Sequence, residues 1–427
     1  MPCRVNSLRS KNFGVRAGGR YPLPRLRSRV AGLCCALSIC LPLLLGESRG
    51  EGELPSLTEG LTGAASASVP SQDLIPARPG YVYAFPRDHG SHDDYGLEWW
   101  YFTGHLYDQS ARRFGYEVTF FRKAVDDERV REHPSRWALR HLYFAHLALT
   151  DVEGAAFSFS EKLSRAAFGK AGADPGRMKV WIDRWVLEPV TEEHQQLRLT
   201  AHDAGLGVDL TLTLNKPPVI HGREGISRKG AGPGQASHYY SLTRLATRGT
   251  VRVRGDPFEV TGISWMDHEF GSGGLGEDQV GWDWFSVQFD SNVEFMLYLL
   301  RKRDGSHDPA SSGTLILPDG TSRHLTRADF AVRTTDQWTS PHNHAEYPAK
   351  WIVEIPSIPL EVTITPVLPD QELRTENSTR VTYWEGAVDV RGHYRNAPVT
   401  GTGYVELTGY ADPLKLDRDS RERHLSR

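Results

Sequence analysis

Beyond residue 40 the sequence has no cysteine, since Cys3, Cys34, Cys35 and Cys40 all stand in its first forty residues. A chain that sheds this segment has no disulfide, no thiol nucleophile and no thiolate metal ligand. Cys40 does not fit a lipoprotein cysteine, because Ile39 before it is not small and Leu41 to Leu45 continue the apolar run after it. Long apolar stretches are missing too, with one exception at Val30 to Leu45, which follows Arg25, Arg27 and Arg29. That run is short for a membrane span but has the plan of a secretory signal. Residues 1–50 are therefore read as a leader cleaved near Gly46 to Gly50, and the protein as secreted or periplasmic, with an uncleaved membrane anchor as the alternative.

An excess of positive charge is also absent. Residues 1–49 hold nine Lys/Arg against one Asp/Glu, which leaves 41 basic and 52 acidic residues after them, a balance of about −11. Such a surface offers no broad basic face to a phosphate backbone, and no nucleic-acid partner is expected. No GxSxG elbow, P-loop or dinucleotide glycine fingerprint occurs, so serine hydrolysis and nucleotide chemistry lack support, and no cofactor is called for. Helical signals are scarce. The clearest is Glu161 to Phe168, with Ser160 as N-cap and Gly169 beyond its end, while Ser135 to Leu149 reads as helix or strand.

Strand signals dominate what is present. Val208, Leu210, Leu212 and Leu214 alternate with polar residues, as do Trp351, Val353 and Ile355, Leu360, Val362 and Ile364, and Val405 and Leu407, the pattern of half-buried antiparallel sheet. One aromatic pattern occurs twice: Glu98-Trp99-Trp100-Tyr101-Phe102 is echoed by Gly281-Trp282-Asp283-Trp284-Phe285, and each copy leads to a second strand-like run that ends in Arg122-Lys123 or Arg301-Lys302. The offset falls from 183 residues at the Trp to 179 at the Arg, as a hairpin loop shortened by four would give. The chain thus reads as two related β units in tandem. Residues 51–80, rich in Gly, Ser, Ala and Pro, form a linker; 81–260 and 261–412 are the two units; 413–427 is a charged tail.

The segment Ser237 to Phe270 has the spacing of a three-stranded meander, His238 to Leu245, Thr250 to Arg254 and Glu259 to Asp267, with a turn at Ala246-Thr247-Arg248-Gly249. Period-two alternation puts His238 and Tyr240 on one face, and Trp265 and Asp267 on one face. If both pairs point inward, a carboxyl, an imidazole and two rings meet in one apolar cavity. Burial without a cationic partner would keep Asp267 protonated and able to act as a general acid. Glu98, at the start of the aromatic strand, is a second candidate acid; an ion pair or cap is its plainer reading. Asp267-His268-Glu269, His89-Gly90-Ser91-His92-Asp93-Asp94 and His342-Asn343-His344 invite a metal, but none has recognised ligand spacing, and no metal is expected.

With these residues in view, the sequence resembles the AttH-like, carotenoid 1,2-hydratase-related proteins, often labelled predicted secreted hydrolases. The resemblance spans most of residues 80–410 and rests on Phe85-Pro86-Arg87-Asp88-His89-Gly90, Leu97-Glu98-Trp99-Trp100-Tyr101, His238-Tyr239-Tyr240-Ser241, Trp265-Met266-Asp267-His268-Glu269 and Gly403-Tyr404-Val405-Glu406-Leu407-Thr408-Gly409-Tyr410. It implies an all-β fold of two tandem lipocalin-like antiparallel barrels, an architecture suited to apolar ligands. The family's proposed hydratase site, a His-x-aromatic pair and an aromatic-x-Asp pair, falls on His238, Tyr240, Trp265 and Asp267, with Tyr240 where the pattern has Trp and Trp265 where it has Tyr. The resulting expectation is a long apolar ligand, an isoprenoid or lipid, held near Glu98, Trp99, Trp100 and Tyr101 and hydrated or hydrolysed by buried Asp267, with no more than transient membrane contact. A non-catalytic carrier and a metal-dependent hydrolase are the alternatives.

Overall fold

Alternating apolar residues force strands that hide one face, and in this chain they assemble two large antiparallel sheets. A computed structural model describes residues 74–125, 139–232, 234–272 and 274–414; the expected leader, most of the linker and most of the tail lie outside them. The first sheet holds β1 (Leu97–Asp108), β2 (Arg113–Ala124), β3 (His141–Asp151), β4 (Ala156–Arg165), β5 (Ala171–Ala173), β6 (Val180–Ile182), β7 (Trp185–Pro189), β8 (Gln196–Asp203), β9 (Leu206–Leu214), β10 (Val219–Ile220), β11 (Ser227–Arg228), β12 (Ala236–Val253) and β13 (Asp256–Gly271). The second holds β14 (Gln279–Phe289), β15 (Glu294–Lys302), β16 (Ser312–Ile316), β17 (Ser322–Thr326), β18 (Ala331–Thr339), β19 (Glu346–Ile355), β20 (Leu360–Pro366), β21 (Glu372–Arg374), β22 (Thr382–Tyr394) and β23 (Ala397–Thr408). Both sheets curl into lipocalin-like barrels within one compact unit.

The two sheets share one plan. Each begins with an aromatic hairpin, β1/β2 or β14/β15, and each ends with a hairpin whose last strand returns beside the first: β13 pairs β1, and β23 pairs β14. The four-residue difference between the copies does not come from the loop. From Trp282 to the end of β14 is two residues shorter than from Trp99 to the end of β1, and β15 up to Leu300 is two shorter than β2 up to Phe121, while both connecting loops keep four residues. Removing two residues per strand preserves which side chains face which way, whereas removing one would turn the strand over.

The alternating runs fill the barrel interiors: Val208, Leu210 and Leu212 lie in the first core, and Trp351, Val353, Ile355, Leu360, Val362, Ile364, Val405 and Leu407 in the second. A third apolar cluster, with Tyr101, Tyr239, Trp265, Trp284, Tyr298 and Tyr404, lies between the barrels. Polar contacts also cross there. Glu294 of β15 accepts from Lys216 Nζ at 2.5 Å and Arg244 Nε at 2.6 Å, and the Gln288 amide donates to the Thr243 carbonyl at 2.7 Å beside a bulge in β12.

Three further expectations need correction, and one open reading is decided. Glu161 to Phe168 is not a helix: Ser160 to Arg165 belong to β4, held by backbone pairing to β3, and only a short 3-10 turn, Ala167–Gly169, follows. The ambiguous stretch before Leu149 is strand from His141 onward. Ser237 to Phe270 is one long hairpin, because Ala246 to Gly249 pair with β9 on one side and β13 on the other. Gly249 marks a close strand approach there, since an added Cβ would lie 2.1 Å from the Asp209 carbonyl oxygen. Finally, residues 261–271 complete β13 of the first sheet, so the chain changes sheets between Gly271 and Gln279 and not at residue 260.

Candidate functional site

Register decides which side chains share a face, and here it separates residues that parity alone left open to meeting. Asp267 pairs with Ser241 of β12 and Tyr101 of β1; Tyr240 pairs with His268, and His238 with Phe270. Directly paired residues point to the same side of a sheet. Asp267 and Trp265 therefore share a face with Tyr239, Ser241, Trp99 and Tyr101, whereas His238 and Tyr240 stand on the opposite face with Glu98, Trp100 and His268. The expected convergence of His238 and Tyr240 with Asp267 does not occur.

The Asp267 face looks into a cavity of about 400 Å³ between the two barrels. Trp99, Tyr101, Trp282, Trp284, Tyr239 and Tyr298 supply its aromatic walls. The repeated motif explains the pairing of those walls: Trp99 and Tyr101 come from the first copy, Trp282 and Trp284 from the second. Tyr101 and Trp284 meet edge to face with ring centroids 5.2 Å apart, an arrangement favoured by the quadrupoles of aromatic rings.

Asp267 is 3% exposed and accepts three hydrogen bonds, from Tyr239 Oη at 2.7 Å, Trp265 Nε1 at 2.6 Å and the Ser241 hydroxyl. Burial pushes its carboxyl up to about 7 against the pull of those three donors, and nearby Glu269 adds to the rise. Behind Ser241 stands His221, whose Nε2 is 2.6 Å from Ser241 Oγ and whose Nδ1 is 2.8 Å from Thr314 Oγ1. Burial holds this imidazole neutral, down to about 3, with Lys229 and His324 adding to the effect. One donor order satisfies the whole row: Thr314 O–H to Nδ1, Nε2–H to Ser241, and Ser241 O–H to Asp267.

Three further carboxyls line the cavity. Glu269 pairs with Lys229 Nζ at 3.0 Å, and that ammonium also lies 4.4 Å from the Tyr298 ring centroid. Burial works against the charge on Lys229, but Glu269 and its neighbours hold its pKa above the ordinary value. Glu385 Oε1 accepts from Tyr101 Oη at 2.6 Å, and Glu406 Oε2 from Trp282 Nε1 at 2.8 Å. Burial pushes Glu406 up to about 7, and burial together with Glu406 and Glu117 pushes Glu385 well above the usual carboxylate range.

The opposite face holds a different network inside the first barrel. Glu98 Oε1 lies 2.8 Å from both His92 Nδ1 and His268 Nε2, and its Oε2 accepts from Arg122 Nε at 2.9 Å. His268 Nδ1 is 3.1 Å from Tyr240 Oη, which is 2.7 Å from His89 Nδ1, and Trp100 stacks on the His268 ring. His238 bonds the Gly225 carbonyl at 2.8 Å. Burial opposes the charge on Glu98, but Arg122, His268 and His92 together hold its carboxyl well below the ordinary range. Donor atoms of His92, Glu98 and His268 come within 4.8 Å of one another, a spacing open to a metal. Each is already engaged, however, and a cation would sit beside the fully buried Arg122 guanidinium. These residues fit an internal ion-pair network better than a metal centre. Of the other candidate cluster, His342 bonds Asp370 at 3.0 Å in an exposed position.

Sequence reasoning thus reached Asp267, Trp265, Trp99 and Tyr101 on the cavity side. It missed Tyr239 and Ser241, which alternate with His238 and Tyr240 in the same motif, and also His221, Lys229, Glu385 and Glu406.

Comparison with known proteins agrees with this architecture. The family described as AttH-like matches residues 76–410. A solved structure from Nitrosomonas europaea, described as AttH, is 33% identical, with 79% of this chain and 100% of that chain covered and a TM-score of 0.71. Kievitone hydratase from Nectria haematococca covers 80% of this chain and 97% of its own at a TM-score of 0.62; at 14% identity the likeness is one of fold. No curated protein matches the chain.

Proposed function

The chain belongs to the AttH-like family, and we propose that the cavity between its barrels binds an apolar small molecule, an isoprenoid or lipid, and hydrates it or otherwise transforms it with Asp267 as general acid. The observation that carries this reading is a carboxyl buried on the wall of an aromatic cavity, without an ion pair among the described residues, its pKa raised by burial to about 7. A carboxyl poised near neutrality can donate a proton and be reloaded. The volume falls within the range of small-molecule sites, so a long isoprenoid would place one end there.

In the proposed step the Asp267 proton forms a new C–H bond with the π electrons of a carbon-carbon double bond. The cation left behind faces indole and phenol rings, each worth on the order of 2 kcal/mol when desolvated. Water captures it. His238 stands on the far side of the sheet and is no longer a candidate for that water's base. Export through the leader places this chemistry in the periplasm or outside the cell; N-terminal sequencing of the exported chain should begin near residue 50.

A second reading has its own support. Asp267 is held by three buried donors, as a carboxyl that anchors a ligand hydroxyl in a carrier would be. One experiment separates the two: mass spectrometry of small molecules extracted from wild type and Asp267→Asn expressed in a lipid-rich host. A retained molecule that differs between them by one water supports hydration. The same molecule unchanged in both supports the carrier, and an empty cavity in both overturns the two readings together.

A further inference from the structure

The internal repeat extends beyond the aromatic hairpins. In the first sheet Tyr101, Asp267 and Ser241 stand side by side on β1, β13 and β12; in the second, Trp284, Glu406 and Glu385 stand side by side on β14, β23 and β22. With Trp99 matched to Trp282, Glu406 occupies the place of Asp267 and Glu385 that of Ser241. The second barrel has put two carboxyls where the first has one, and both line the shared cavity.

The hydrogen bonding of Glu385 is incomplete. Glu385 is 1% exposed, and while its Oε1 takes the Tyr101 hydroxyl, its Oε2 has no partner among the described residues. Leaving a buried carboxyl oxygen unpaired is costly unless something occupies the space beside it. The cations in the lining do not fill that need. Lys229 is committed to Glu269. The Lys123 backbone is level with Leu97, four residues along β1 from Tyr101 and so about 13 Å from the Tyr101 backbone. His146 is engaged by Tyr383 at 2.7 Å and Ser378 at 3.0 Å.

We infer that Glu385 and Glu406 make this cavity a receptor for a positive centre on an apolar molecule, either a tertiary or quaternary ammonium or a carbocation formed in place. This rests on the apolar-ligand reading above and narrows it. Carboxylates draw the charge, and the faces of Tyr101, Trp99, Trp282 and Trp284 accommodate its apolar substituents, the combination by which aromatic cages hold quaternary ammonium groups. For hydration, the same pair supplies the missing base. As the water oxygen bonds to the cationic carbon, its surplus proton passes to Glu406. The products are a neutral alcohol, an Asp267 carboxylate and a protonated Glu406, and return of that proton to Asp267 across the cavity resets the site.

Binding should also displace a proton. Burial raises Glu385, helped by Glu406 from β23, Glu117 from β2 and Asp267 from β13 and opposed by the Tyr101 hydroxyl, and together these favour its protonated form until a cation arrives; His146 from β3, Glu269 from β13 and Lys229 line the same cavity. A fixed positive charge should therefore bind more tightly as pH rises.

The test uses three ten-carbon probes on the full chain, decyltrimethylammonium, 1-decanol and decyl sulfate, followed by calorimetry and tryptophan fluorescence. The ammonium should bind about tenfold or more tightly than the alcohol, release protons on binding, and lose its advantage in Glu385→Gln/Glu406→Gln, with single Glu385→Gln in between. Unchanged 1-decanol affinity in the variants shows that the cavity is intact. Equal affinity of ammonium and alcohol, or a preference that survives the double substitution, overturns the inference and leaves the apolar cavity standing. Tightest binding of decyl sulfate overturns it in favour of Lys229 as an anion site. Failure of all three probes overturns the apolar-ligand reading as well.

Discussion

Asp267 is the residue whose environment works against its ordinary state. Its folded pKa lies near 7, above that of an unfolded aspartate near 4, so the folded form resists ionisation more than the unfolded form does. The cost is absent below pH 4, grows between about pH 4 and 7, and is fully present above 7. Asp267→Asn removes the titration and keeps the shape. Denaturant unfolding of the variant and the wild type should give a stability difference that moves in favour of the variant from pH 4 to pH 8, by on the order of 4 kcal/mol at most. A difference independent of pH would mean that Asp267 ionises freely. Ser241→Ala gives a finer probe, because the Ser241 hydroxyl lowers the Asp267 pKa. Its loss should move the titration of the buried carboxyl upward from about 7, read from the pH dependence of the protonated C=O infrared band.

Elements, more than single residues, determine which chemistry is brought together. The strands of the barrel cores were legible because period-two alternation is a local signal, and the tandem duplication was legible because the aromatic motif repeats. Within each strand the faces were legible as well: Trp265 and Asp267 do share one, and His238 and Tyr240 do share the other. The register between strands was not, and a one-residue slip would exchange every face. Ser241↔Asp267 is that missing fact. It brings in Tyr239 and Ser241 and sends His238 and Tyr240 into the barrel, and the same kind of pairing exposes Glu406 as the partner of Trp284. The helix expected at Glu161 failed for a related reason, since pairing along β3 overrides a local capping pattern. Gly249 was read as a turn residue but serves a tight β9–β12 approach. Gly249→Ala should destabilise the fold by about 1–3 kcal/mol, because the new Cβ meets fixed backbone rather than a flexible side chain. Urea unfolding measures it, and an unchanged midpoint would show that the two strands can part without cost.

At the scale of the whole molecule, two populations of buried groups oppose each other as pH changes. Burial lowers His89, His105 and His221 to about 3 and His146 to about 4, aided at His89 by neighbouring histidines, at His105 by Arg113 and at His221 by Lys229. Unfolding would let these groups take up protons below about pH 6.5, so they withdraw stability as pH falls. Burial also raises Asp267 and Glu406 to about 7 and Glu117 to about 8, and raises Glu385 well above the ordinary range. Unfolding would let these groups release protons above about pH 4, so they return stability as pH falls through the same interval. Between roughly pH 4.5 and 6.5 the two effects oppose each other, so the raised carboxyls offset part of the stability that the lowered histidines withdraw. Glu385→Gln/Glu406→Gln removes two of the compensating groups. The stability of that variant should fall on acidification through the same window, more steeply than wild type by about 2–3 kcal/mol per pH unit. Urea midpoints at pH 4.5, 5.5 and 6.5 measure this directly. Parallel profiles would mean that the carboxyls of the second barrel are already ionised in the folded chain, so that the cavity holds its negative charge before any ligand arrives.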